Sequence, residues 1–176
     1  MARQTGFKLP GFTAWVDRIK NVTAEEAANL IVEELQNDGP AWSGEFRNAW
    51  KIVPGQGKRI PADQESRFDE KTRRSLQPGE AEPRKEIKAP KLKGRGNNGY
   101  TIGNSMTYRN VALDLEPGRW GDGKRNTAPR DWYVAFAEGG KMRGILEAAT
   151  LKASKDPKIR GFNAKNLSDA RGRLGL

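Results

Sequence analysis

The sequence predicts an α+β domain: a short antiparallel sheet packed by N- and C-terminal helices and interrupted by a long inserted arm. Three observations lead there. Apolar residues recur at helical spacing near both ends of the chain. Two short strand-like runs, Lys51-Ile52-Val53 and Tyr100-Thr101-Ile102-Gly103, lie on either side of its middle. Between these runs, residues 54–98 hold five of the ten prolines and few large apolar side chains, with twelve Lys/Arg against seven Asp/Glu. Such a stretch buries too little apolar surface to offset an ordering cost of about 1–2 kcal/mol per residue for the backbone alone. It is therefore expected either to stay disordered or to order against another molecule.

The elements follow in order. Phe12, Trp15, Val16 and Ile19 predict a first amphipathic helix after Pro10-Gly11. Thr23-Ala24-Glu25-Glu26 has the form of a capping box and suggests a helix start there, with Ala27, Leu30, Ile31 and Leu35 as its apolar stripe. Whether the two helices merge through Asn21-Val22 is left open by the pattern. Asp38-Gly39-Pro40 ends the helix. Ser43 is positioned to cap one further helical turn, with Phe46, Ala49 and Trp50 on one face. After the second strand, Asn104-Ser105 predicts a turn and residues 111–115 an extended or helical piece. From Trp132 to about Lys152 the stripe Tyr133, Phe136, Ala137, Met142, Ile145, Leu146 and Ala149 predicts a helix broken at Gly139-Gly140. The organisation is one domain in four stretches: residues 1–53, helices and first strand; 54–98, basic arm; 99–153, remaining strands and C-terminal helix; 154–176, basic tail.

Charge is distributed unevenly. The net charge is +10, and residues 152–176 carry seven Lys/Arg against two Asp/Glu. Arm and tail thus hold the whole excess, a pattern of two mobile basic extensions on a near-neutral domain. The chain has neither cysteine nor histidine. That removes disulfides and thiolate chemistry, and with them the commonest general base and metal ligand. No signal peptide or membrane span is expected, so the chain reads as a soluble cytoplasmic product.

Candidate chemistry is sparse. Asp114 and Glu116 would share a face of a strand, and a solvated or salt-bridged surface accounts for them better than a metal or acid/base pair. Gly94-Arg95-Gly96-Asn97-Asn98-Gly99 has dinucleotide-motif spacing, but no strand precedes it and a strand follows it, the reverse of what that motif needs. Ser43 has no histidine to activate it. No catalytic residue, metal ligand or cofactor site is expected. The arm interleaves acids with its bases and holds one aromatic, Phe68. It reads as a protein-docking or solvated arm ahead of a direct nucleic-acid binder. A small basic nucleic-acid-binding protein is the alternative class.

Two motifs combine into a resemblance. One runs Gly39-Pro40-Ala41-Trp42-Ser43-Gly44 and then Phe46-Arg47-Asn48-Ala49-Trp50. The other runs Tyr100 to Asn104, then Tyr108, then Leu115-Glu116-Pro117-Gly118. Together they resemble the small tail-component, or neck, family of tailed bacteriophages. Its members carry a helix, a Pro-x-x-Thr-Gly-x-Leu-x-x-Ser segment, a strand pair with Asn, Tyr and Glu-x-Gly, and a C-terminal helix. The likeness covers about residues 11 to 153 outside the arm. Ser43 stands where the family usually has Thr, Phe46 where it has Leu, and Ala49 near its Ser.

The resemblance implies a structural virion protein of the neck or tail, made in the host cytoplasm. It would act without catalysis, in a ring, commonly six-fold, that completes the tail or joins it to the head connector. Its partners would be copies of itself and neighbouring neck, connector or tail-tube proteins. DNA would pass through the lumen with non-specific contact at most, and no membrane would be involved. Trp42, Phe68, Arg73, Arg74, Glu116 and Trp120 are the expected subunit or partner contacts. Gly44, Trp50, Asn104, Tyr108 and Gly118 are the expected structural residues of the motifs.

Overall fold

The computed structural model describes residues 12–40, 43–67, 82–92, 99–113, 128, 129, 131–157 and 159. Helix α1 (Phe12–Asp38) runs without a break. Residues 21–26 contain no helix breaker, so Thr23 lies mid-helix and the predicted capping box caps nothing. The helix ends where expected, with the Gly39 amide bonded to the Leu35 carbonyl at 3.1 Å. One turn, α2 (Glu45–Asn48), leads into strand β1 (Trp50–Pro54). Beyond the arm come strand β2 (Tyr100–Asn104) and a turn of helix, α3 (Arg109–Ala112). Residues 111 and 112 are thus helical, and among the described residues a single strand follows the arm. Helices α4 (Trp132–Glu138) and α5 (Lys141–Ser154) are separated at Gly139-Gly140, the break the two glycines predict.

The architecture is α+β. Strands β1 and β2 pair antiparallel, with Trp50 opposite Asn104, Ile52 opposite Ile102 and Pro54 opposite Tyr100. Helix α1 packs against both strands, and α5 lies along α1. Two strands alone are marginal in water, and the core shows what supports them. Ala28, Val32 and Leu35 of α1 meet Phe46, Trp50, Ile52 and Met106, and Trp132, Phe136 and Ile145 close the other side. Of the C-terminal stripe, Phe136, Ile145 and Ala149 are buried, but Ala137 and Leu146 face solvent. Trp132 and Ala153 complete the buried set instead.

Acids along α1 find bases on the elements around it. Glu26 pairs with Lys152 at 2.6 Å, and Lys141 spans Glu34 and Asp38 at 3.3 and 2.5 Å. The Asp38 hydrogen bond holds the Lys141 ammonium above the usual lysine range. Arg84, from the arm, reaches Glu33 at 3.4 Å. Exposed pairs of this kind each contribute little.

The arm departs from expectation. Its described parts, residues 55–67 and 82–92, dock on their own domain. The outgoing limb lays Ile60, 6% exposed, across the sheet over Gly103. A Cβ at Gly103 would stand 3.1 Å from the Ile60 Cδ1, so the bare backbone gives that side chain its seat. Gln64 then bridges to Met106, accepting from Thr107 and donating to the Ser105 carbonyl. The returning limb follows α1, where Gln36 Nε2 donates to the Lys85 carbonyl and Asn29 Oδ1 accepts from the Ala89 amide. Composition hides this because backbone groups bonded to α1 and β2, with Ile60, Ile87 and Ala89 as small anchors, hold the limbs. The start of the stretch expected as the tail touches the domain. Ile159 is buried, and its carbonyl accepts from Trp15 Nε1 at 3.4 Å.

Candidate functional site

The described residues of the two sequence motifs meet at one junction, between α2, the start of β1 and the end of β2. Phe46 is its centre. Its ring stands edge-on to Trp50 at 5.7 Å and to Trp132 at 6.5 Å, and tilted against Tyr108 at 6.2 Å. Asn104, 1% exposed, ties the motifs through polar bonds. Its Nδ2 donates to the Phe46 carbonyl at 2.8 Å, and its Oδ1 accepts from the Met106 amide at 3.0 Å. Ser105 Oγ donates to the Ala49 carbonyl at 3.0 Å. Arg109 clamps the rim, donating to the carbonyls of Ile60 and Asn104 at 2.8 and 2.9 Å.

Gly44 is the residue at which the arm returns. Its φ is +77°, and a Cβ there would lie 2.6 Å from the Glu82 carbonyl oxygen. Only glycine offers both the left-handed backbone and that approach. Ser43 does less as a cap than its position suggests: its Oγ accepts from the Glu45 amide at 3.4 Å, while Gly44 occupies the cap position of α2. Its carbonyl does more, accepting from the Glu82 amide at 3.1 Å.

Sequence reasoning missed Glu45. This carboxylate is buried, 1% exposed. It accepts from Ser66 Oγ at 2.6 Å, from the Arg67 amide at 2.7 Å and from Ser43 Oγ at 3.4 Å. The Arg67 guanidinium sits 3.6 Å from it and also pairs with Glu82. Arg47 Nη2 donates to the Glu82 carbonyl at 2.5 Å, and Asn48 Nδ2 to the Pro83 carbonyl at 3.0 Å. Glu45 lies one residue before the apolar face of α2, where an acid invites suspicion, but its partners are 21 and 22 residues away in the arm. No local spacing exposes them.

Of the predicted site residues, the structure brings Gly44, Trp50, Asn104 and Tyr108 together. Trp42, Phe68, Arg73, Arg74, Glu116, Gly118 and Trp120 lie outside the described residues, as does Asp114. Two grooves flank α1. One, of about 340 Å³, lies between Glu33 and Gln36 of α1 and Arg84 and Ile87 of the arm. The other, of about 700 Å³, lies between Arg18 and Glu25 of α1 and Lys91, Leu92 and Pro157. Both carry charges of both signs. Among the described residues, no group of three His, Cys, Asp or Glu side chains could hold a metal ion. No described helix is long and apolar enough to cross a membrane. The geometry of the motif junction is that of a brace: aromatic packing, amide bridges between segments and a close backbone approach.

No protein-family model, curated protein or solved structure matches this chain.

Proposed function

We propose that this chain is a structural protein of the neck or tail of a tailed bacteriophage. It assembles as a six-membered ring that completes the tail or joins it to the head connector, and it performs no catalysis. One observation carries the reading. The two motifs on which the family resemblance rests are about fifty residues apart in sequence, and their described residues meet in one junction. Asn104 binds the Phe46 carbonyl, Tyr108 lies against the Phe46 ring, and Trp50 stands opposite Asn104 in the ladder. That use of the motif residues is architectural. It suits a subunit whose task is to hold shape while its outer surface meets neighbours.

The test is negative-stain electron microscopy of particles of the encoding phage, labelled with an antibody to this chain. Label confined to the head–tail junction supports the neck assignment. Label along the tail or at its tip keeps the assembly class and moves the role to tube or tip. Absence of label from particles, together with DNA binding by the purified chain that weakens steeply with salt, overturns the proposal in favour of a nucleic-acid binder.

A further inference from the structure

We infer that Glu45 is a latch that fastens the base of the arm, so that the base opens locally while the domain stays folded. The argument begins with where its bonds go. Among the described residues, Ser43 is the one donor to the Glu45 carboxylate from the domain side; Ser66 Oγ and the Arg67 amide, both in the arm, are its short bonds at 2.6 and 2.7 Å. The returning limb joins at the same place. Arg67 pairs with Glu82, whose amide donates to Ser43 and whose carbonyl accepts from Arg47. One buried acid therefore ties the outgoing limb, and through Arg67 the returning limb, to α2.

The second step is energetic. A buried carboxylate stripped of its donors is strongly unfavourable, so the contact cannot fray bond by bond. Either Ser66 and Arg67 are in place, or the acid must be rehydrated. That makes the latch two-state. The third step is its independence from the core. The bonds of the latch are polar, and the aromatic cluster of Phe46, Trp50, Tyr108 and Trp132 is assembled from residues outside the arm. Opening the base leaves that cluster its contacts. The inference does not rest on the ring assignment.

The test is amide hydrogen exchange on the full-length chain, wild type against Glu45→Gln and Ser66→Ala. The glutamine keeps the shape and removes the charge, and the alanine removes only the arm's hydroxyl. Exchange at Arg67 and Glu82 is expected to accelerate at least about tenfold in Glu45→Gln. It is expected to accelerate in the same sense in Ser66→Ala, with Val32 and Leu35 in α1 and Thr101 and Gly103 in β2 unchanged in both. Unchanged protection at Arg67 and Glu82 overturns the inference. So does acceleration by one common factor at all six amides, since the arm base and the domain would then open as one unit. If Glu45→Gln does not fold, Ser66→Ala alone decides by the same readout.

Discussion

Replacing Gly44 by alanine probes the place where the arm returns to the domain. Two costs add. An L side chain at φ +77° costs about 1–2 kcal/mol in the left-handed region. The new Cβ would also stand 2.6 Å from the Glu82 carbonyl oxygen and 2.8 Å from the Glu82 nitrogen, so the limb must retreat. Retreat breaks the Glu82 amide bond to Ser43 and the Arg47 bond to the Glu82 carbonyl. Together those bonds contribute about 2–3 kcal/mol. The expected loss is about 4 kcal/mol. Gly57→Ala is the control, since its φ is +69° but nothing lies within 4 Å of the added Cβ. It should lose only the conformational part, about 1–2 kcal/mol. Urea unfolding followed by tryptophan fluorescence measures both, compared at equal slopes. If the two variants agree within about 1 kcal/mol, the limb yields without cost and the close approach at Gly44 does not stabilise the fold.

Three further outcomes are expected. Asn104→Leu should cost about 3 kcal/mol in the same denaturation experiment, because the Phe46 carbonyl and the Met106 amide both lose their partner inside the protein. Trp132→Phe should cost about 1–2 kcal/mol more than Trp50→Phe, since Trp132 Nε1 donates to the Ala112 carbonyl at 2.9 Å and the buried Trp50 Nε1 finds no hydrogen-bond partner among the described residues. Tyr100 should ionise late: burial, then the nearby Glu25 carboxylate, push its phenol up to about 12. The folded phenol holds its proton more tightly than an unfolded one, so its contribution to stability is intact below about pH 10 and is lost as the pH climbs through about 12. Ultraviolet titration of the phenolate signal should show that late step in the wild type and lose it in Tyr100→Phe.

What the sequence revealed and what it hid divide along a physical line. Contacts between near neighbours were legible. Phe46, Ala49 and Trp50 announce one buried face of a helical turn, Gly39-Pro40 stops α1, and Gly139-Gly140 parts α4 from α5. The capping box at Thr23 misled because a local signal starts a helix only where the preceding residues leave it, and residues 12–22 are already helical. The arm misled for a different reason. Apolar content measures what a segment buries by itself, whereas residues 58–67 and 82–89 borrow their partners from Gly103, Ser105, Gln36 and Asn29. Glu45 was invisible for the same cause. A buried acid is recognised by its donors, and Ser66 and Arg67 approach it only once the chain has crossed the sheet.

The acids of α1 have a consequence in time. Glu34 and Asp38 lie 107 and 103 residues from Lys141, and Trp15 lies 144 residues from the Ile159 carbonyl it binds. Helix α1 is therefore paired by a segment that is synthesised more than a hundred residues after it. Until then its apolar face has neither α5 nor Trp132 to cover it. Contacts of such long sequence separation slow folding and lengthen the exposure of sticky intermediates. This domain completes itself only once α5 has been made, and a chain cut short before α5 would leave the α5-facing side of α1 uncovered, a natural substrate for chaperones and proteases.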